Sequence, residues 1–166
     1  MPSSVEFNAS KAQAAVREAM QRLEDATPLF QDIVEYMLQA TRERFVTGVG
    51  PDGKAWAPKK QSTLDRYKRL GYGNLNKALI GPGRALSRQV VGAANAKGAA
   101  IGSALIYSRV MQEGAEKGAF GTDRRGRSLP WGKIPARMWL GISAADEQAI
   151  IETADDYLRP VLDNEA

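Results

Sequence analysis

The chain contains no cysteine and no histidine. The first absence excludes a disulfide framework and thiolate metal sites, and fits assembly in a reducing cytoplasm. The second removes the commonest general base, the commonest transition-metal ligand and the one side chain that titrates near neutral pH unaided. Catalysis would have to rest on carboxylate, Lys, Tyr or Ser groups alone, so the expectation is a non-enzyme without cofactor or metal. Long hydrophobic runs are missing too. The opening Met1-Pro2-Ser3-Ser4-Val5-Glu6 lacks the basic-then-apolar order of a secretory signal, and no stretch approaches the ~20 apolar residues that cross a bilayer. A soluble chain with no membrane contact is therefore expected.

What is present suits one globular domain over residues 1–166: the hydrophobic fraction is 43%, the charged fraction 25%, and no polar low-complexity linker divides the chain. The net charge of +4 hides an asymmetry. Residues 51–142 carry 17 basic and 5 acidic groups, residues 1–50 carry 5 and 7, and residues 143–166 carry 1 and 7. A +12 centre thus lies between flanks of −2 and −6. Such a centre suits a surface facing nucleic acid or an acidic protein, unless the flanking helices neutralise it within the fold.

Periodicity divides the chain into elements. Ala12, Ala15, Val16, Ala19, Met20 and Leu23 recur at helical spacing from Ser10, a candidate N-cap, to Ala26. Their small-residue face suits packing on a helix of the same chain or of a second subunit. Thr27 as N-cap and Pro28 at the first helical position open a second helix, with Phe30, Ile33, Val34, Met37, Leu38, Thr41 and Phe45 on its core stripe and a stop near Gly48. Residues 8–48 thus form a helical pair. Pro51-Asp52-Gly53 reads as a tight turn before a loop that buries Trp56, and a short helix spans Ser62 to Leu70. Gly71 to Asn76 reads as a mobile turn. Leu86 to Leu105 splits into two strands around Asn95-Ala96-Lys97-Gly98. Ile106 to Gln112 reads as a short helix closed by Gly114.

Residues 115–134, rich in Gly and Arg, read as an exposed arm or long β-hairpin. Residues 143–162 form a last helix with a Ser143/Asp146 capping box, which Pro160 should end or bend. Together these elements are α+β: helices packed on a small antiparallel sheet, with an extended basic hairpin or arm.

Chemical motifs are scarce. Gly48-Val49-Gly50-Pro51-Asp52-Gly53 has the letters of a dinucleotide fingerprint, but it follows a helix, contains a proline and opens no βαβ unit. The adjacent carboxylates Glu24-Asp25 and Asp155-Asp156 point about 100° apart on a helix and cannot face one substrate. Basic residues are the remaining candidates for contact with DNA or a partner: Lys59, Lys60, Arg66, Lys68 and Arg69 around the third helix, and Arg124, Arg125 and Arg127 in the arm beside Trp131. A solvated hairpin tip, or an arm docked on the acidic face of a neighbouring copy, reads the arm equally well. No pattern for sequence-specific DNA reading occurs.

Three segments together resemble the phage virion morphogenesis family, which includes tail-completion proteins of long-tailed phages. The first is Phe45, then Gly50-Pro51-Asp52-Gly53 and Trp56, with Lys59 and Ser62-Thr63-Leu64 beyond. The second is Ile101-Gly102 leading to Tyr107-Ser108 and Gln112-Glu113-Gly114. The third is Ile134-Pro135-Ala136-Arg137, then Trp139-Leu140-Gly141, Ser143 and Asp146. Their order and spacing cover about Phe30 to Leu162. Two positions depart from the family: Met111 stands where it often has histidine, and Gly81-Pro82-Gly83 matches its turn loosely.

The resemblance implies a virion protein of the neck or upper tail end, present in the host cytoplasm during assembly, that completes tails or joins head to tail. It implies a sixfold ring that contacts other neck and tail proteins, and packaged DNA through phosphates if the basic centre lines a channel. Its motif residues would then be architectural. Pro51 and Gly53 shape a turn, Trp56 and Trp139 anchor loops, and Arg137 pairs with an acid, Glu113 or one of an adjacent subunit.

Overall fold

The computed structural model describes residues 10–73 and 75–162. It is an α+β arrangement of six helices and a two-stranded antiparallel sheet. Helices α1 (Ser10–Glu24) and α2 (Thr27–Thr47) come first, then α3 (Gln61–Arg69) and the single turn α4 (Ala85–Arg88). Strands β1 (Val91–Asn95) and β2 (Gly98–Gly102) follow, then α5 (Ser108–Glu113) and α6 (Ala144–Leu162). No helix among the described residues is long and apolar enough to cross a membrane.

The organising element is α2, which lies against both strands and α6 and touches α4. Pro28 sits in its first turn, where a missing N–H costs nothing, but the N-cap is Ala26 and not Thr27. The side chain of Asp25 instead accepts the Thr27 N–H at 3.1 Å. Gly48 ends the helix in the left-handed region (φ 75°), its N–H bonded to the Arg44 carbonyl, a conformation that suits glycine.

The sheet pairs Val91 with Gly102 through Asn95 with Gly98, and the Asn95 side chain closes the turn by accepting the Lys97 N–H at 2.8 Å. Gly92 lets the strand approach α2: a Cβ there would lie 2.3 Å from Val34 Cγ1. The hydrophobic centre is compact, with Phe45, Trp56, Leu86, Val90 and Trp139 buried together. Phe45 stands edge-on to Trp56 at 5.3 Å and tilted against Trp139 at 5.9 Å, so the second helix and two distant loops share one aromatic core.

Several sequence expectations need correction. The α1 face finds part of the expected cover within the chain: the helix rests on α6 through the Arg22–Tyr157 region, but Val16, Met20 and Leu23 stay more than half exposed. Pro160 does not end α6, which runs through it to Leu162. Residues 115–134 form no continuous β-ladder; isolated bridges pair Ala115 with Ile134 and Thr122 with Ser128. Residues 8 and 9 of the predicted helical pair, and Asn74 in the predicted mobile turn, lie outside the described residues.

Candidate functional site

The segments around Trp56, Gln112 and Trp139 meet at one junction. Glycines 48 and 50 begin a small bridged turn in which Gly50 N–H bonds to Lys54 O at 2.9 Å and Trp56 N–H to Gly48 O at 2.8 Å. Gly53, at φ 74°, supplies the reversal beside Pro51. The turn delivers the Trp56 indole N–H to the Met138 carbonyl at 2.7 Å. Pro51 closes the same contact from the other side, since a Cβ on Gly141 would lie 2.9 Å from its ring.

Gln112 clamps the opposite side of this junction. Its amide oxygen accepts from Trp139 N–H and Leu140 N–H at 2.9 and 3.0 Å, while its NH2 donates to Leu140 O at 2.7 Å. One side chain thereby satisfies three backbone groups that an irregular segment would otherwise leave unpaired. Trp139 N–H of the ring reaches Ser108 O at 3.2 Å. Gly114, at φ 76°, allows residues 134–136 to pass against it: a Cβ would meet Ala136 N and Ile134 O at 2.7 Å.

Arg137 is buried, and within the chain its partners are carbonyls and not Glu113. Its guanidinium donates to Ala57 O at 2.7 Å and Pro58 O at 3.0 Å, while Glu113 is taken by Arg109 at 3.0 Å. The ion pair at this junction is one that sequence reasoning missed. Arg44 of α2 pairs with Asp146 of α6, both side chains buried, and also donates to Gly141 O at 2.9 Å. Asp146 further accepts the Ser143 N–H and hydroxyl, each at 2.7 Å, and returns its own N–H to Ser143 Oγ, a reciprocal capping box. Burial alone would raise the Asp146 pKa, but the Ser143 bonds, the Arg44 charge and the Tyr36 hydroxyl outweigh it and hold the carboxyl below its usual range. The only sequence signal for Arg44 was its place on the core side of α2, three residues after Thr41.

Residues 7–159 match the phage virion morphogenesis family. The chain belongs to that family. No match was found among curated proteins or among solved structures. Membership makes this a protein of phage virion assembly, and the junction shows what its three motif segments do in this chain: they hold one another through backbone carbonyls, a glutamine and close glycine contacts.

What this family member offers outward is charge. A cavity of about 470 Å³ opens between the start of α3, the Gly81-Pro82-Gly83 turn and residues 132–135. Lys59, Lys60, Arg84, Lys133 and Arg137 line it together with Tyr107 and Pro135, and no carboxylate does. Lys59 donates to Ile80 O at 2.5 Å and to Leu75 O, with its ammonium 4.9 Å from the Tyr67 ring centre. Burial, and then the nearby Arg137 charge, hold its pKa below the ordinary lysine value. Arg84 and Lys133 went unnoticed in the sequence because neither belongs to a basic cluster.

The other predicted contact residues do not join this cavity. Arg66, Lys68 and Arg69 are exposed on α3. At the arm tip, Asp123 accepts the N–H groups of Arg125 and Arg127 at 2.8 and 3.0 Å and pairs with the Arg127 side chain, which also lies 4.8 Å over Trp131. Arg127 is therefore a brace for the tip, whereas Arg124 and Arg125 point no charge at any described carboxylate. Phe120 and Trp131 are also largely exposed. Among the described residues no group of three carboxylates or other ligands is placed to hold a metal ion.

Proposed function

We propose that this protein is a non-enzymatic structural part of the phage neck or upper tail end, acting as a ring, six copies round, that completes or terminates the tail or joins it to the head. Family membership over residues 7–159 is the observation that carries the reading. Two features of the surface support it. Val16, Met20 and Leu23 leave an apolar stripe on α1 that is more than half exposed in the single chain, as expected of a helix that meets a neighbour in an assembly. The +12 centre and the −6 C-terminal block also give one chain segments of opposite charge, which suits head-to-tail contacts between copies and contacts with other neck and tail proteins. The finished protein resides in the virion and is built in the host cytoplasm. Disrupting the gene in the phage that carries it should leave filled heads and separate tails. Intact infectious particles without the protein refute the proposal.

A second reading, a non-sequence-specific nucleic-acid-binding module, is favoured by the exposed Arg124 and Arg125 beside Trp131. Both side chains suit phosphates, and packaged DNA would be the partner. Duplex affinity measured against salt tests it: the Arg124→Ala/Arg125→Ala variant should lower the log–log salt slope by about 2. An absence of binding by the parent protein at low salt removes this reading.

A further inference from the structure

The cationic cavity has an electrostatic defect that the single chain does not repair. Lys59 and Arg137 direct their hydrogen bonds to backbone carbonyls, which satisfy donors without cancelling charge. Of the other lining cations, Lys133 pairs with Glu116 at 2.6 Å in the open, while Lys60 and Arg84 have no described carboxylate within pairing distance. A cavity with this lining favours an anionic occupant.

Its walls narrow the class of occupant. Leu79, Pro82, Tyr107, Ile134 and Pro135 give it apolar sides. A DNA duplex presents phosphates on a convex backbone and has nothing apolar to place in such a recess. A protein surface with an aliphatic side chain among carboxylates fills both requirements.

The chain itself carries that surface. On the outer side of α6, Glu147, Ile151 and Asp155 follow one another at i, i+4 and i+8, in one row, with Glu152 and Asp156 alongside. All five are exposed, Ile151 by half. Arg159 offsets only Asp156, at 2.9 Å. No residue of α6 lines the cavity of its own chain, so the two surfaces are distinct patches.

We propose that the cavity lined by Lys60, Arg84 and Lys133 receives the acidic outer face of α6 from a second copy, with Ile151 seated against its apolar walls. Because the two patches differ, the contact is heterologous: each copy offers one face to each neighbour, and repetition closes a ring or runs into a filament. This deepens the ring reading given above and rests on it.

The absence of cysteine makes the contact directly testable inside particles. Gly83→Cys on the cavity rim has open space around its new side chain, and Gln148→Cys lies on the outer side of α6; neither removes a charge. Particles carrying both substitutions are treated with a bis-maleimide, those carrying either one serve as controls, and unsubstituted particles receive an amine-reactive cross-linker. The expected result is a ladder of covalent multimers from the double variant, none beyond dimers from the single ones, and a ladder from the amine reagent. An amine ladder without the cysteine ladder overturns this interface and leaves the ring standing. No ladder from either reagent overturns both.

Charge exchange gives an independent reading where the cysteine variant fails to enter particles. Lys60→Glu/Arg84→Glu and Glu147→Lys/Asp155→Lys should each lower particle yield at least about tenfold through like-charge contact, and their combination should restore it. Losses that do not recover on combination refute the pairing.

Discussion

Replacing Asp146 with asparagine keeps the shape of the side chain but removes the one carboxylate paired with buried Arg44. The guanidinium keeps its bonds to Gly141 O at 2.9 Å and Trp139 O at 3.4 Å, and the amide oxygen can still accept from Ser143 with the new NH2 turned to the Tyr36 hydroxyl, yet the Arg44 charge is left uncompensated. Removing one partner of a buried pair costs ~3–5 kcal/mol. That is a fifth or more of the ~5–15 kcal/mol that holds a typical domain folded. With a urea slope of ~2 kcal/mol/M, the unfolding midpoint at pH 7 should fall by ~1.5–2.5 M at an unchanged slope. A shift under ~0.5 M refutes the assignment of the pair as the clasp between α2 and α6.

Acid supplies a second arm of the same experiment. The folded Asp146 pKa lies below its ordinary value of 3.8, so its stabilisation is fully present well above that value and is lost as pH falls through it toward the folded pKa. Wild type should therefore lose its advantage over Asp146→Asn as pH drops below about 4. Replacing both partners, Arg44→Met with Asp146→Leu, should recover part of the loss, because no buried charge remains unpaired. A gap that stays constant down to strongly acidic pH removes the ionised carboxylate from the explanation.

Gly114→Ala should cost ~3 kcal/mol, since the left-handed backbone and the 2.7 Å approach of Ala136 N leave a methyl group no room; chemical denaturation reads it, and a near-neutral result rules out the packing described. Gly92→Ala forces a methyl into stiff Val34 and should cost ~1–3 kcal/mol, read as a lower melting temperature with the hairpin still formed by circular dichroism. Thr41→Val goes the other way. The Thr41 hydroxyl is buried without a partner, so removing it should raise stability by up to ~1 kcal/mol in a thermal melt; a clear loss shows that the hydroxyl is satisfied.

Local chemistry made much of the fold legible. The 3.6-residue stripe from Phe30 to Phe45, with Pro28 before it and Gly48 after, could belong only to a helix with one buried side, and the hairpin turn was readable from Asn95 and Gly98. The Ser143/Asp146 spacing likewise announced the start of α6, because capping is settled within four residues. Long-range polar contacts left no comparable trace. Arg137 ends on the carbonyls of Ala57 and Pro58, some 80 positions away, and a carbonyl has no residue type to read. The pattern that named the α1 stripe shows that a face wants cover but not what supplies it, and here α6 covers only part of it. Lys133 and Arg84 were invisible as site residues because the turn at Gly81 and the base of the arm bring them together only in three dimensions.

The motif residues and the exposed cations therefore do different work. Trp56, Gln112, Gly114, Arg137 and Trp139 are tied to backbone groups of one another's segments, so a change in any of them acts first on folding. Lys60, Arg84, Arg124 and Arg125 are exposed and outside the ion pairs that brace the chain, so their loss leaves the fold nearly untouched. In this chain the second set can therefore change sign, position or number while the first keeps the architecture. If the proposed ring contact holds, the choice of neighbour rests on these charged surfaces rather than on the residues that hold the core together.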